Sequence, residues 1–558
     1  MTAHSETPPP APGWWNLLTT VNRTGPRWPA ASRAALAVAL PALIAYLAGR
    51  EDAMLMIAGG GFTVIFGEGL PFRTRWRVMA TAGTLLVLGS VAGGFVGTVV
   101  WAQNDGDPGW WLLLIAAFTT GVAGLAGFAQ NALRLPPPGT FFMVMLAGGS
   151  TMIAKQDWNP VEAGLWTALG ASFAVCVGMM PGILPSRRRA PETASVERFE
   201  TMVAEYRSAT SHTVAETHQV KTQAASTWNT LRHAGLVTGG EQVDDSSPQL
   251  VRRCMTAYLS ITGFLESTGQ DSTGRQAVGT VPLLQPSNRY LIYRSLTLDS
   301  HATVTALKIM IASITAGVIG VALGFDRPDW AVVSAMVILQ WGPDRRPGTA
   351  RSIHRLIGSV LGVLLFAVFH LLELDGLSLL VALAACQFVA EIFVVRYYAM
   401  TVVAVTPLAM MMGGALQQPL GPGVLARIAE VAIAIACSLV VLWFVLRGAD
   451  ARRAAVQVDN CIQSMGALLG RMMVTRSPEE AQVQRRDLQY ELLRERRDAQ
   501  SAAYNDPRLR LRDEDWWHRH LSVQRTGYDL LDFSASGAGD SLRELDELAT
   551  RVRSLRAG

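Results

Sequence analysis

The amino-acid sequence predicts an all-α polytopic membrane protein, and three observations support this fold class. The chain of 558 residues is 50% hydrophobic and only 16% charged, and its mean hydropathy is +0.25, which is too apolar for an ordinary soluble protein of this length. Its apolar residues are gathered into runs close to the roughly 20 residues that a helix needs to cross a bilayer. These runs form two blocks, and a polar, charged stretch follows each block.

The two blocks contain six apolar runs each and therefore predict twelve membrane spans. The spans of the first block are expected at 31–48, 53–67, 78–102, 110–129, 139–154 and 160–184. Those of the second block are expected at 302–323, 330–342, 352–372, 376–395, 397–414 and 424–446. The chain then divides into a tail (1–28), a first six-span repeat (29–186), a helical domain (187–300), a second six-span repeat (301–447) and a second helical domain (448–558).

Basic residues predict the orientation of these spans. With the N-terminus inside, twelve arginines lie in the inward loops, and only Arg50, Lys155, Arg327 and Arg427 lie on the outward side. Because short cytoplasmic loops carry an excess of Lys and Arg, this asymmetry places both helical domains and both termini in the cytoplasm. We therefore expect a multi-pass protein of the cell inner (cytoplasmic) membrane.

The two membrane blocks also resemble each other. The stretch "DAMLMIAGGGFTVIFGEGLPFRTRWRVMATAGTLLVLGS" follows the same plan as "DWAVVSAMVILQWGPDRRPGTARSIHRLIGSVLGVLLFA": an acid, a short apolar run, a Gly/Pro turn, arginines and a span rich in small residues. Since both blocks begin and end inside, they predict a parallel repeat about an axis along the membrane normal. The second spans of both blocks, 53–67 and 330–342, are short and flanked or interrupted by glycine or proline, a pattern that points to a transport site.

The two polar regions are predicted to form helical bundles. Val458, Ile462, Met465, Leu469 and Met472 have the spacing of an a/d seam, which indicates an amphipathic helix. These bundles are interpreted as solvated structural domains, with a ligand sensor as the alternative.

A cationic cluster begins the ninth span. At about 100° per residue, Arg351, Arg355, Gly358 and Gly362 fall on one face of a helix. The two glycines predict close packing against another span, and the two arginines predict a site for the carboxylate of an organic anion. The alternative is that these arginines only set the topology.

Other charged residues inside the predicted spans are candidates for the same task. Lys308 lies two turns into the seventh span, Arg33 is its approximate counterpart in the first span, and Arg75 matches Arg351. An ionisable group within a span is a functional candidate by default, although Lys308 can also extend to the nearby membrane surface.

Two carboxylates are candidates for proton coupling. These are Glu391 in the tenth span and Glu430 in the twelfth, because a buried carboxyl can bind and release a proton near neutral pH. A salt bridge to Arg396 is the alternative for Glu391, and one to Arg427 for Glu430.

The sequence supports neither an ATP-driven pump nor a familiar hydrolase. It lacks the GxxxxGK[ST], HExxH and GxSxG motifs, and its five cysteines contain no CxxC pair. We therefore expect no enzyme, no cofactor and no metal site. The inward arginines account for the basic charge, so no nucleic-acid partner is required.

Both membrane blocks, most clearly the second, resemble the fusaric acid resistance or aromatic acid exporter family of inner-membrane proteins. The resemblance rests on "PDRRPGTARSIHRLIGSVLGVLL" and "RYYAMTVVAVTPLAMMM", with "PPPGTFF" as a counterpart in the first half. It implies export of aromatic carboxylic acids. The related aluminium-activated malate channels of plants are dimers of six-span subunits, which implies that this chain is a fused pseudo-dimer with a pathway near its pseudo-twofold axis.

The sequence thus predicts an ion-gradient-driven exporter of aromatic carboxylates or similar organic anions, with the organic anion and the lipid bilayer as its partners. A passive anion channel on the same fold is the first alternative. A membrane scaffold for envelope partners is the second. The substrate, the coupling ion, a higher oligomer, the role of the helical domains and the need for a periplasmic adaptor stay open.

Overall fold

A computed structural model describes most of the chain. The residues outside the description are 1–10, 12, 23–24, 104–107, 136–138, 185–186, 210–213, 268–280, 284, 414, 418, 475–479, 506–513, 536–541 and 558. The described residues are helical and contain no β-strand.

The described part of the first half of the chain forms eleven α-helices. They are α1 (Trp14–Thr19), α2 (Trp28–Leu47), α3 (Met54–Gly61), α4 (Phe72–Trp101), α5 (Leu112–Leu133), α6 (Phe141–Gly149), α7 (Pro160–Met179), α8 (Ala190–Ser208), α9 (Val214–His233), α10 (Gln249–Ser267) and α11 (Asn288–Ser295).

The second half of the described chain forms ten more. They are α12 (His301–Ala322), α13 (Pro328–Leu339), α14 (Arg345–Leu371), α15 (Gly376–Phe393), α16 (Tyr398–Met412), α17 (Leu420–Phe444), α18 (Ala449–Val474), α19 (Gln482–Asn505), α20 (Glu514–Ala535) and α21 (Leu542–Ala557).

Each of the twelve predicted spans contains a helix, but the structure corrects their lengths. Eight helices among the described residues are long and apolar enough to cross a membrane: α2, α4, α5, α7, α12, α14, α15 and α17. The other four, α3, α6, α13 and α16, have only 8 to 15 residues. At about 1.5 Å per residue, none of these four reaches across a hydrocarbon core of roughly 30 Å. Helices α3 and α6 continue as tighter 3-10 turns over Phe62–Gly67 and Ser150–Gln156, after the glycines that weaken an α-helix.

The fourth predicted span of each half packs against the first predicted span of the other half. Helix α5 of the first half packs along α12 of the second, and α15 of the second half packs along α2 of the first. Gly124 and Gly127 allow the first of these approaches, because a Cβ atom on either glycine would lie 2.5 Å from a side-chain atom of Met310 or Ile309 on α12. The halves are therefore interlocked and share one apolar core.

The glycines of α14 lie against α16. A Cβ atom on Gly358 would lie 2.6 Å from the carbonyl oxygen of Ala399, and one on Gly362 would lie 2.7 Å from Cβ of Thr406. In the first half the corresponding contact is made further along the helix, where Gly89 and Gly93 of α4 lie against Ala147 of α6.

Two helical bundles lie beyond the apolar helices, and each has its own core. The first consists of α8, α9 and α10, and the second consists of α18 to α21. The predicted seam of α18 is buried at Val458, Ile462, Met465 and Leu469. The two bundles touch where Gln482 Nε2 donates to the carbonyl oxygen of Gly239.

The second bundle is joined to the start of α14 by polar contacts. Ser501 Oγ and Asn505 Nδ2 of α19 donate to Asp344 Oδ1 over 2.5 Å and 2.7 Å. Burial by itself raises the pKa of Asp344, but Arg453 and these two hydrogen bonds outweigh it, so the pKa is lower than usual. The carboxylate therefore stays ionised and holds the bundle against α14.

Candidate functional site

A wide cavity among the described apolar helices lies beside the predicted cationic face. We call it the Arg351 cavity; it has a volume of about 370 Å³ and is lined from α13, α14, α15 and α16. Its lining includes Arg351, Arg355 and Glu391 from the predicted site. Aromatic side chains from two helices and a loop face the same space: Phe141, Phe142, Tyr397 and Tyr398.

Arg351 and Arg355, two of the three arginines that line this cavity, have no carboxylate partner within the described structure. Arg351 Nε donates to the carbonyl oxygen of Ile338 over 2.9 Å. Arg355 is 3% exposed, and its Nη2 donates to Ser334 Oγ over 3.1 Å, while its Nε has no hydrogen-bond partner. Neutral oxygens therefore orient both guanidinium groups, and no carboxylate neutralises either of them within the described structure.

Glu391 has a different partner from the one weighed on the sequence. Its Oε1 accepts a hydrogen bond from Arg27 Nη2 over 2.5 Å, and its backbone oxygen accepts one from Arg27 Nε. Arg396 instead donates to the carbonyl oxygen of Gly25. Arg27 directly precedes α2, and α2 packs along α15, which explains why a residue 364 positions away reaches this carboxylate.

The segment that contains α1 lies over one side of the Arg351 cavity. The carbonyl oxygen of Leu18 is 2.9 Å from His354 Nε2 and accepts a hydrogen bond from the Tyr397 hydroxyl over 3.2 Å. Asn22 binds the backbone oxygens of Val395 and Arg396 over 3.0 Å each. This part of the cavity wall is therefore a short helix held by a few hydrogen bonds and not by deep packing.

A second cavity is lined by all four short helices. We call it the Trp330 cavity; its volume is about 110 Å³, and residues of α3, α6, α13 and α16 surround it. The guanidinium carbons of Arg327 and Arg427 lie 4.3 Å and 4.7 Å from the centre of the Trp330 ring, at cation–π distance. Arg327 directly precedes the short helix α13, whereas Arg427 lies on the long helix α17.

Acidic groups compensate part of this positive charge. Arg327 Nη2 lies 3.0 Å from Asp329 Oδ2 in a buried ion pair. Arg427 Nη1 lies 4.0 Å from Glu430 Oε2, and both of these atoms lack a hydrogen-bond partner. Glu430 thus lies beside Arg427, as weighed on the sequence, but the contact is loose.

The two cavities meet at one layer of side chains. Phe141, Arg355 and Val405 line both of them. Arg355 is therefore the charged group at the boundary between a wide cavity and a narrow one, which the sequence could not show.

The remaining predicted site residues lie outside both cavities. Arg33 Nη2 is 2.7 Å from Glu68 Oε1, and Arg75 Nη2 is 3.4 Å from Glu68 Oε2. Lys308 is buried, and its Nζ donates to the carbonyl oxygen of Pro343 over 3.4 Å. The structure thus brings together Arg351, Arg355 and Glu391, but it does not bring Arg33, Arg75 or Lys308 to them.

Sequence reasoning gave no site role to Arg27, Arg327, Trp330 or His354. One usable signal was the pattern in which an arginine stands two residues before an acid at the start of a short helix. It occurs as Arg50 with Asp52 and as Arg327 with Asp329, and both pairs form salt bridges. No group of His, Cys, Asp and Glu side chains suited to a metal ion occurs in the described ranges.

Comparison with known proteins agrees with the resemblance seen in the sequence. Residues 314–441, from α12 to α17, match the family model described as "Fusaric acid resistance protein-like". Over 509 residues the chain is 22% identical to "Uncharacterized membrane protein YvaC" of Bacillus subtilis (strain 168), with 81% of this chain and 78% of that protein covered. No solved structure matches the chain. The chain is therefore a multi-pass membrane protein, and the part of it that matches the fusaric acid resistance model lies in the half that contains Arg351 and Arg355.

Proposed function

We propose that this protein exports aromatic carboxylates or similar organic anions across the cell inner membrane. The observation that supports this function best is the pair of cavities that meet at Arg355, with an unneutralised arginine at the boundary and aromatic side chains beside it. The family match supports transport in general.

The Arg351 cavity suits an aromatic carboxylate in shape and charge. The guanidinium groups of Arg351 and Arg355 offer paired donors to a carboxylate, and Phe141, Tyr397 and Tyr398 offer ring faces and edges to an aromatic body. A cavity of about 370 Å³ falls in the ordinary size range of small-molecule sites.

A substrate that moves from one cavity to the other has to pass Arg355, because Arg355 belongs to the layer that separates the cavities. In the proposed cycle the carboxylate leaves Arg351, binds Arg355 and continues to the Trp330 cavity, where Arg427, which is only loosely paired with Glu430, attracts it. A proton on Glu391 would weaken its ion pair with Arg27 and loosen the contact between α2 and α15, which gives a route for coupling to a proton gradient.

The proposed pathway lies between two equivalent halves. We infer an internal duplication, since α2 and α12, α3 and α13, and α5 and α15 occupy equivalent places in the helix packing. In this arrangement the basic ends of α4 and α14 face the cytoplasm and both termini lie there.

The first test is flux of a labelled hydroxybenzoate from proteoliposomes that contain the purified protein, with and without an imposed pH gradient. Arg355→Gln is expected to lower the flux at least about tenfold, because it removes the charge-assisted bond that carries the carboxylate across the layer. Arg77→Gln is the matched control, since Arg77 is an exposed arginine near the start of α4. Glu391→Gln is expected to remove the stimulation by the gradient.

Each outcome separates the candidate functions. Gradient-stimulated flux that Arg355→Gln abolishes supports a coupled exporter. Flux that is changed neither by the pH gradient nor by the Glu391→Gln substitution indicates a passive channel. No flux for a panel of organic anions would contradict transport and favour a membrane scaffold.

A further inference from the structure

A third, much smaller pocket lies away from both cavities, where the second helical bundle meets the ends of two apolar helices. Arg134 at the end of α5, His301 at the start of α12 and three residues of α19 line it: Tyr490, Arg494 and Arg497. Its volume is about 20 Å³, so it has room for a compact group and not for an aromatic substrate.

The carboxylate in this pocket is already paired. Asp498 also lines the pocket, but its Oδ1 lies 3.2 Å from Nε of Arg453, and Arg453 also pairs with Asp450 over 3.1 Å. Burial by itself would lower the pKa of Arg453, but these carboxylates outweigh it and raise the pKa, so Arg453 keeps its charge. Arg134, Arg494 and Arg497 are left with no ion pair in the described part of the chain.

Two polar atoms in the pocket lack partners. Arg494 is only 9% exposed, yet its Nη1 has no hydrogen-bond partner, and Nε2 of His301 is also buried without one. A buried guanidinium group with no counter-charge and an unused N–H costs free energy that a bound anion would recover.

An aromatic ring holds two of the cations near each other. The guanidinium carbons of Arg134 and Arg494 lie 4.9 Å and 5.8 Å from the centre of the Tyr490 ring. Arg134 also has a left-handed backbone conformation, with φ of 54°, which a non-glycine residue adopts only when its surroundings stabilise it. The fold thus positions Arg134 and Arg494 beside one ring.

We propose that this pocket binds a phosphate group, either free inorganic phosphate or the phosphate of an anionic lipid headgroup. Planar arginine donors match tetrahedral oxyanions, and three of them with one carboxylate already neutralised leave the pocket strongly positive. Because its walls come from α5, α12 and α19, the bound group fastens the second bundle to both halves of the apolar helices. This site is independent of the proposed transport function.

The test measures the thermal unfolding midpoint of the full-length protein in detergent. One arm adds inorganic phosphate at constant ionic strength, and the other adds phosphatidylglycerol to the micelles. At saturation we expect a rise of about 3 °C for the wild type. The rise should disappear in Arg494→Gln and shrink in Arg497→Gln. Arg496→Gln, two residues from Arg494 and outside the pocket, is the matched control.

The two arms identify the source of the phosphate. A rise with inorganic phosphate that depends on Arg494 supports a free-phosphate site, and the same dependence with phosphatidylglycerol alone supports a lipid site. No rise in either arm overturns the proposal, as does an equal rise in wild type and Arg494→Gln. Because the readout is stability, a failed flux assay does not affect it.

Discussion

The two halves of the apolar region place similar charges at similar positions but treat them differently. Arg75 and Arg351 each follow an acid by seven residues, Glu68 in one half and Asp344 in the other. In the first half Glu68 pairs with both Arg75 and Arg33. In the second half Asp344 faces the helical bundle instead, and the hydrogen bonds that Arg351 makes within the described structure go to backbone oxygens.

This difference separates arginines that stabilise the fold from arginines that can bind a substrate anion. A guanidinium group that already has a carboxylate partner gains little from a substrate anion, whereas one held by neutral oxygens retains its charge. Four residues after these arginines stand Met79 in the first half and Arg355 in the second. The second half therefore supplies the cations of the candidate site. The first half supplies Phe141, and its own arginines Arg33 and Arg75 are already paired with Glu68.

The largest expected effect concerns packing, in which the halves are alike. Gly358→Val and Gly93→Val should both abolish recovery of folded protein, because each added side chain would meet a backbone carbonyl group, of Ala399 or Ala147. Overpacking of this kind costs about 1–3 kcal/mol even where neighbours can move. Size-exclusion yield measures the result. Gly121→Val, at a glycine with open space around it, is the control and should fold.

The next prediction tests the difference in charge. Arg351→Gln should lower hydroxybenzoate flux about tenfold with little change in the unfolding midpoint, since it removes a cation that has no acidic partner. Arg75→Gln should lower the unfolding midpoint with little change in flux, because it leaves Glu68 with one partner fewer in a partly buried cluster. Flux per folded protein and thermal unfolding are measured on both variants. The comparison fails if Arg75→Gln lowers flux as much as Arg351→Gln does.

A smaller effect is expected where Asp344 holds the second bundle. Asp344→Asn weakens two charge-assisted bonds, each worth about 1.5–3 kcal/mol, so proteolysis of residues 448–558 should accelerate. Glu68→Gln should leave that rate unchanged. Since the pKa of Asp344 is below its usual value of 3.8, the contact should be complete above that pH and weaken only as the pH falls further.

The smallest expected effect is at the α1 segment. Tyr397→Phe removes one hydrogen bond to the Leu18 carbonyl oxygen, worth about 1 kcal/mol. If this segment restricts access to the Arg351 cavity, initial flux should rise by a factor of about two to five. Tyr293→Phe, at an exposed tyrosine outside that cavity, should not change it. A fall in flux in Tyr397→Phe would show that the hydroxyl serves the substrate instead.

Hydropathy and small-residue spacing allowed the helices to be predicted from the sequence, because apolar length and glycine faces are local properties of the chain. The family resemblance and the cationic face of α14 were visible for the same reason. The partner of Glu391 was not predicted, since Arg27 is 364 residues away and reaches it only because α15 packs along α2. The four short helices were recognised as apolar runs, but not as the wall of one cavity.

The sequence by itself determined that this is a membrane protein of helices in two similar blocks, and which face of α14 carries its arginines. Tertiary structure alone decided which of those arginines are free of carboxylates, because ion pairing depends on distances between helices that are far apart in the chain. It also decided that Arg355, and not Arg75 or Lys308, stands where two cavities meet. Charge is encoded residue by residue, whereas its neutralisation is a property of the folded packing.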